Sequence, residues 1–423
     1  MRANREPGGS GLRQVCELAQ QLRAIASKRQ VPNRTKMALA QLYGAPGRAA
    51  MTPLTADERT ELAESVRGAC ERLASEERVR AVAFEHDGNT RGFDAELWTV
   101  LCDQVGVTAI ALPEELGGVG YGAAALGVVA HELGRALAPV PFLASTVLAT
   151  GLLLETAAPA ERLAPLTDGR RTAAAAITGS GGIWHRAAIT LTAKRAGDAW
   201  AIEGTVRHVL NGTGADDLVA VATIAKQPAV FLLDAADDGV TVSAERVLDG
   251  TRPMATITFS GAPAERLTGE GPADDLIERC VARTLAVLTA EQVGACERVL
   301  EMATGYACTR EQFGRRIGSF QAIKHRCADM LIDLEMARSA SLAALQSIDV
   351  GDGESGWRVS LAKAVCSEAL RNVSHANLQI HGGIGFTWED AAGLYVKRAR
   401  TDEVLFGLPT QHWDRLAAEA KLL

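Results

Sequence analysis

The spacing of apolar residues changes period twice along the chain, and this change limits the folds that the chain can adopt. Residues 51–165 place apolar side chains at helical spacing, and a Pro/Gly-rich loop at 112–122 interrupts them. Over 171–270 the apolar residues alternate or form short runs that Gly, Asp and Asn separate. Helical spacing returns over 274–347 and 357–380. This order predicts a mainly α protein with a central β domain.

The length of the chain requires more than one hydrophobic core. At roughly 100–200 residues per domain, 423 residues suggest two to four domains. We predict an N-terminal α domain over 51–170, a middle antiparallel β domain over 171–272 and a C-terminal α domain over 273–423. The long amphipathic helices of the last segment are expected to pack as an antiparallel helical bundle.

Residues 1–50 differ from the rest, because they are basic and rich in Arg, Gln and Ala. The segments GGSGLRQVCELAQQLRAIASKRQV and ALAQLYG are similar to the extreme C-terminus of thiolases, but the thiolase active-site motifs are missing. We interpret this stretch as an over-extended or fused reading frame, with Met51 as the natural start. The alternative is an ordinary helical extension that docks on the main body.

The composition excludes several classes of protein. A net charge of -7 argues against a nucleic-acid partner, and no apolar run approaches the roughly 18–20 residues that span a bilayer. The start, MRANREPGGSG, lacks the apolar core of a signal peptide. The eight cysteines are scattered without a CxxC pair, and the histidines have no metal-ligand spacing. We therefore expect a cytoplasmic protein with reduced thiols, no metal site and no membrane partner.

Three motifs lie in the helical segments, and they follow one another in a recognisable order. They read LPEELGGVG over 112–120, YACTREQFGRRIGSFQAIKHRCADM over 306–330 and LQIHGGIGFTWE over 378–389. Together they resemble the acyl-CoA dehydrogenase family over about residues 55–415. The resemblance implies an FAD-dependent enzyme that dehydrogenates an acyl-CoA thioester and passes electrons to electron-transfer flavoprotein or a similar acceptor.

The second and third motifs carry the residues that we expect to bind FAD. A dinucleotide pyrophosphate needs a fixed cation and backbone N–H groups that can approach closely. Arg310 is the candidate cation, and Gly382, Gly383 and Gly385 remove side chains where the backbone must approach phosphate. The alternative is a surface arginine and glycines that only end a helix.

Three further side chains complete this expected half-site. Phe313 offers an apolar face to the cofactor, and Gln321 and Gln379 offer hydrogen bonds to its polar edges. In the family that the motifs resemble, these groups reach across a subunit interface to the FAD of a neighbour. The resemblance therefore implies at least a dimer, with FAD at the interface.

The two positions where the family carries its catalytic glutamate lack a carboxylate here. One position follows the Gly-Gly loop, and this chain has Phe406 and Gly407 where the family has Glu-Gly. The other lies on the helix that leads to Arg310, and it aligns with Thr284. Glu291, two helical turns further along the same face, is a weak candidate for a relocated base, and a structural carboxylate is the alternative.

The segments that would face the chain's own flavin also depart from the family. The family has Thr-Glu-Pro-x-x-Gly-Ser-Asp where this chain reads AITGSGGIWHRAAI over 176–189. It then has Trp-Ile-Thr-Asn where this chain has His208 and Leu210 in place of Trp and Thr. Leu210 cannot donate a hydrogen bond to a flavin ring atom.

The retained motifs serve a neighbour's FAD, and the lost ones would serve the chain's own. This division favours the partner subunit of a heteromeric acyl-CoA dehydrogenase, in which a second, catalytic subunit supplies the base. The chain resembles paired α2β2 actinobacterial enzymes that act on sterol side chains. Two alternatives remain open: a self-sufficient homomeric dehydrogenase with an unusual base, and a non-enzymatic acyl-CoA-binding or scaffold protein.

Overall fold

The computed structural model describes residues 53–85, 91–156, 158–177, 184–197, 199–351 and 355–419. The thiolase-like segment 1–50 and the proposed start at Met51 lie outside the described residues. Among the residues that are described, no helix is long and apolar enough to cross a membrane.

The N-terminal part is built from helices around a loop that holds the first motif. The first helix begins with a reciprocal cap, in which Glu58 N donates to Thr55 Oγ1 and Thr55 N donates to the Glu58 carboxylate. Its α-helices are α1 (Ala56–Leu73), α2 (Glu76–Phe84), α3 (Ala95–Val100), α4 (Ala123–Ala136), α5 (Thr150–Glu155) and α6 (Ala160–Thr167). Two π-helical segments, Leu101–Val105 and Phe142–Ala149, extend α3 and precede α5.

A seven-stranded sheet follows and closes on itself. Its strands are β1 (Ala173–Ala176), β2 (Leu191–Ala196), β3 (Ala199–Leu210), β4 (Asp217–Ile224), β5 (Gln227–Asp234), β6 (Val240–Ala244) and β7 (Met254–Arg266). The order is β1-β4-β2-β3-β7-β5, β6 pairs with β7, and β5 also pairs with β4. Apolar side chains such as Phe231 and Phe259 fill the interior.

The sheet is mixed, which corrects the prediction of an antiparallel domain at two pairings. Most pairings are antiparallel, but β4 runs parallel to both β1 and β2. Strands β2 and β3 lie between β1 and β4 in the chain and form an antiparallel hairpin. After this hairpin, β4 pairs with β1 and runs in the same direction. Alternating apolar residues predict a strand but do not encode the direction of its neighbour.

The C-terminal part is a helical bundle around one central helix. Its helices are α7 (Asp274–Thr309), α8 (Gln321–Val350), α9 (Ser355–His381), α10 (Ala392–Val404) and α11 (Pro409–Glu419). Residues 284–296 of α7 are all buried. A Cβ on Gly294 would lie 1.9 Å from the carbonyl oxygen of His131 on α4, so glycine is what lets α7 and α4 cross at backbone contact. The central helix thereby joins the N-terminal and C-terminal parts.

Candidate cofactor site

The Arg310 motif forms a tight hairpin on the surface. Strands β8 (Glu311–Gln312) and β9 (Arg315–Arg316) pair, and Ile317 N donates to the carbonyl oxygen of Arg310 at 2.9 Å. Phe313 and Gly314 form the turn with φ angles of 54° and 72°. A positive φ is strained for a bulky residue, and such strain clusters at functional sites. The hairpin holds the Phe313 side chain 90% exposed.

Arg310 is exposed and directly follows the end of α7. Among the described residues its guanidinium makes no ion pair, whereas Arg135, Arg171 and Arg398 each pair with two carboxylates or more. An exposed, unpaired guanidinium can bind an external anion through charge-assisted hydrogen bonds.

The glycine motif lies at the end of α9. Gly382 adopts a φ of 63° and opens the 3-10 helix Gly382–Phe386, and a Cβ on Gly382 or Gly383 would meet no atom within 4 Å. This backbone therefore borders open space, as the predicted approach of phosphate requires. Gly385 differs, because a Cβ there would lie 3.0 Å from the Cβ of His381. Packing within the chain already explains the glycine at 385.

One ring stack joins the two motifs. Tyr306, one turn before Arg310, stacks on His381 with ring centroids 4.3 Å apart and planes 19° apart. His381 directly precedes Gly382, so the arginine and glycine motifs lie side by side. Tyr306 is not among the predicted site residues, although the sequence shows an aromatic residue at this position close to Arg310.

Both candidate glutamines lie exposed on helices that border these motifs. Gln321 begins α8, and its Nε2 lies 2.8 Å from Nε2 of His325. Gln379 lies in the last turn of α9. Gln321 and Gln379 are both available to an external group. Apart from Gly385, which is buried, the structure thus presents the predicted cofactor residues at its surface.

The positions that would face the chain's own flavin line one small cavity, whose volume is about 30 Å³. That volume holds one or two water molecules. Its walls are Leu148, Ala175, Ile177, Val206, Arg207, His208, Val209, Leu210 and Phe406. Leu210 and Phe406 thus place apolar side chains here, where the family that the motifs resemble has a hydrogen-bond donor and its glutamate. Of the segment 176–189, residues 178–183 lie outside the described part of the chain.

His208 is tied to the protein itself. Its Nδ1 lies 2.6 Å from Oε2 of Glu245, and its backbone N donates to Oε1 of the same carboxylate at 3.0 Å. Burial alone would raise the pKa of Glu245, but hydrogen bonds from Thr256 and His208 outweigh burial and lower it. His208 and Phe406 both have positive φ angles, 59° and 55°. Two residues that line this cavity thus have strained backbone conformations.

Neither predicted base position carries a proton acceptor for substrate. Thr284 is fully buried and donates its hydroxyl to the carbonyl oxygen of Cys280 at 2.9 Å. Glu291 is buried, and its Oε1 accepts hydrogen bonds from both Arg252 and Arg398. It borders a cavity of only about 20 Å³. These contacts favour the structural interpretation of Glu291.

Glu291 belongs to a buried charge cluster that ties the sheet to the bundle. Arg398 on α10 also pairs with Asp249 at 2.7 Å, in the loop before β7. Arg252 Nε lies 3.1 Å from Asp402 Oδ1, but the geometry does not form a hydrogen bond, and neither oxygen of Asp402 finds such a partner among the described residues. Burial raises the pKa of Asp402 to about 7. The cluster therefore joins the sheet to the bundle, and its Asp402 carboxylate has no hydrogen-bond partner among the described residues.

A buried lysine holds the loop that carries Phe406. Lys363 on α9 is fully buried, and its Nζ donates to the carbonyl oxygens of Asp402, Glu403 and Gly407 at 2.8, 3.2 and 3.3 Å. Burial lowers the pKa of Lys363 to about 8. The sequence analysis did not identify this residue, because a lysine within an apolar helix face gives no sign of which carbonyls it will meet.

Comparison with known proteins identifies the family. The model for the N-terminal domain of acyl-CoA dehydrogenases matches residues 57–166, and the model for their C-terminal domain matches residues 276–420. These matches cover more than half of the chain. The protein therefore belongs to the acyl-CoA dehydrogenase family, whose members are FAD-dependent dehydrogenases, and it has that family's fold.

Individual relatives agree with this assignment. Acyl-CoA dehydrogenase IpdE2 of Mycolicibacterium smegmatis is 33% identical over 86% of this chain and 99% of its own length. Acyl-CoA dehydrogenase FadE27 of Mycobacterium tuberculosis is 32% identical over 79% of this chain and 90% of its own. A chain of the ChsE4-ChsE5 complex from Mycobacterium tuberculosis has a TM-score of 0.78 at 30% identity, covering 88% of this chain and 99% of that one.

Proposed function

We propose that this chain is the partner subunit of a heteromeric acyl-CoA dehydrogenase and completes the FAD site of a second, catalytic subunit. The complex would catalyse the α,β-dehydrogenation of an acyl-CoA thioester. FAD would supply the hydride acceptor, and electron-transfer flavoprotein or a similar acceptor would take the electrons. The catalytic subunit supplies the glutamate base and the contacts to the flavin ring.

The observation that carries this proposal is the contrast between two places in the chain. At the flavin position of the chain itself, Leu210 offers no hydrogen-bond donor to a flavin ring, and Phe406 has no carboxylate. At the surface, the Arg310 guanidinium makes no ion pair among the described residues, and a Cβ on Gly382 would meet no atom within 4 Å. A chain that served its own flavin would need the missing donor and carboxylate at the first place.

The two base positions give independent support. Phe406 has no acid–base chemistry, and the Thr284 hydroxyl is fully buried with its proton donated within α7. The ion pairs of Glu291 with Arg252 and Arg398 hold its carboxylate in a buried charge cluster. The proton acceptor must therefore come from elsewhere, which a catalytic subunit provides.

The relatives also support a heteromer. The ChsE4-ChsE5 complex has two different subunits by name, and another similar structure is the Tcur3481-Tcur3483 steroid ACAD, with a TM-score of 0.77 at 30% identity. We extend this pairing, and an acyl-CoA substrate with a steroid-derived acyl group, to the present chain.

Co-expression tests the proposal. The full chain is purified alone and together with acyl-CoA dehydrogenase chains of the same genome that have a glutamate at the base position. We expect a colourless, inactive single chain and a yellow complex that oxidises acyl-CoA. A yellow single chain with turnover would support the homomeric alternative instead. A chain that stays colourless with every candidate would support the scaffold alternative.

A further inference from the structure

The surface beside the glycine motif carries apolar side chains that the cofactor role does not use. Ile384, Phe386 and Trp388 are 44%, 68% and 64% exposed, and Phe84 on α2 is 38% exposed. Monomeric proteins rarely leave a contiguous group of large apolar side chains in water, and such groups mark interaction sites. Ile384 and Phe386 lie on the same 3-10 helix as Gly382 and Gly383, so this patch adjoins the predicted cofactor edge.

Part of the patch is a fixed arrangement of three side chains. The Phe84 and Trp388 rings meet edge to face at 5.1 Å, and Lys397 Nζ lies 4.2 Å from the centroid of Trp388 and 4.9 Å from that of Phe84. The three residues come from α2, the loop before α10, and α10 itself. Because separate rigid elements hold them, little side-chain freedom remains to be lost on binding.

The chemistry of this aromatic triad, Phe84, Trp388 and Lys397, indicates what would cover it. Trp is among the residues most enriched at interface hot spots, where apolar contacts exclude water. Among the described residues Lys397 makes no ion pair within 4.0 Å; its ammonium lies over the two rings, and Asp249 attracts it from further away. A suitable partner surface therefore offers an apolar side chain for Trp388 and a carboxylate for Lys397.

We infer that the aromatic triad is the main protein–protein anchor between this chain and the catalytic subunit, and that it meets an apolar and acidic surface of that subunit. The inference rests on the proposed function, since it takes the occupant to be the subunit whose FAD the glycine motif reaches. The choice of this occupant follows from the shared 3-10 helix, because a protein that places a cofactor against Gly382 and Gly383 must also cover Ile384 and Phe386. The triad thus fixes the position of the cofactor edge without contacting the cofactor.

The test measures the dissociation constant of the complex between the full chain and the catalytic subunit. Trp388→Ala should weaken assembly by roughly 10-fold or more, as for other hot-spot residues. Lys397→Glu should also weaken it, whereas Lys397→Arg should retain most of the affinity because Arg keeps both the charge and the contact with the rings. Val350→Ala is the control, since Val350 is 54% exposed at the far end of α8, about 45 Å along that helix from Gln321. The Val350→Ala variant should leave the dissociation constant of the complex unchanged.

Flavin content separates this inference from the proposed function. At partner concentrations that saturate assembly, the Trp388→Ala complex should bind FAD as the unaltered complex does, because Arg310 and the glycines are intact. If the unaltered chain forms no complex with any candidate subunit, the proposed function fails. If the unaltered chain assembles and a folded Trp388→Ala variant assembles with the same dissociation constant, the anchor is overturned while the proposed function stands.

Discussion

At the scale of single residues, Arg310 carries the predicted contact to the cofactor. Removing its guanidinium deletes hydrogen bonds to phosphate that are about twice as strong as neutral ones. We expect Arg310→Ala to weaken FAD retention in the complex by about 10-fold or more, measured by flavin absorbance after gel filtration. The melting temperature should not change, because the side chain is exposed and unpaired among the described residues.

The matched control for this variant is Arg170→Ala. Arg170 is 73% exposed and, within the described part of the chain, pairs only with the exposed Asp168, so its loss should change neither flavin content nor stability. Unchanged FAD retention in a folded Arg310→Ala complex would remove Arg310 from the cofactor site.

A second residue-scale prediction concerns Phe406. Restoring the family's carboxylate with Phe406→Glu should not make the isolated chain active, because Leu210 still offers no hydrogen-bond donor to a flavin ring. The measurement is turnover of acyl-CoA by the single chain, with its flavin content. An active, yellow variant without any partner would mean that the lost base alone inactivates the site.

At the scale of elements, a distant carboxylate caps the start of α4. Asp349, near the end of α8, accepts hydrogen bonds from the backbone N of Ala123 at 2.5 Å and of Ala124 at 3.0 Å. Burial raises the pKa of Asp349, although these hydrogen bonds oppose that effect. Helix α4 has no capping side chain of its own, since Gly122 stands at its N-cap.

Removing this cap should destabilise the packing of α4 on α8. We expect Asp349→Ala to cost about 1–2 kcal/mol and to lower the apparent melting temperature by a few degrees, whereas Asp349→Asn should lose less because it keeps one acceptor. Differential scanning calorimetry measures both. Equal melting temperatures for the three proteins would show that the cap contributes nothing.

At the scale of the whole molecule, His131 on α4 connects the N-terminal helices to α7. Its Nδ1 lies 3.0 Å from Glu132 and its Nε2 lies 3.1 Å from Glu297. Burial would lower the pKa of His131, but the hydrogen bonds to these two carboxylates outweigh burial and raise it. The folded state therefore binds the imidazole proton more tightly than the unfolded state does.

The raised pKa of His131 makes the stability of the folded chain depend on pH, and the direction of the shift gives the sign of that dependence. A raised folded pKa contributes stability that is fully present below the unfolded value, about 6.5, and is lost as the pH rises through the folded value. The melting temperature of the unaltered chain should exceed that of His131→Gln most below pH 6, and the difference should shrink toward pH 9. A difference that grew with pH would contradict the charged state of His131.

The fold followed from the sequence because helix and strand periods are local properties. The three motifs then gave the family, and the structure confirms its helical parts and central sheet. The parallel pairings of β4, the contacts of Lys363 and the pairing of Glu291 with Arg252 and Arg398 depend on residues far apart in the chain, and a sequence pattern does not encode them. The group of residues that lines the cavity at Phe406 depends on packing in the same way.

The structure also changes how the unusual-base alternative can be tested. Glu291→Gln would leave Arg252 and Arg398 without their shared carboxylate in a buried cluster, at a cost of roughly 3–5 kcal/mol. Lost activity in that variant would thus report on folding as much as on chemistry.

The ratio of bound FAD to protein chains tests the account most directly. If this chain only completes the FAD site of the catalytic subunit, as we propose, the purified complex should contain about one FAD for each pair of unlike chains, and the single chain should contain none. Turnover of acyl-CoA should appear only in the complex. A single chain that binds FAD and oxidises acyl-CoA, or a complex with one FAD for every chain, would contradict the account.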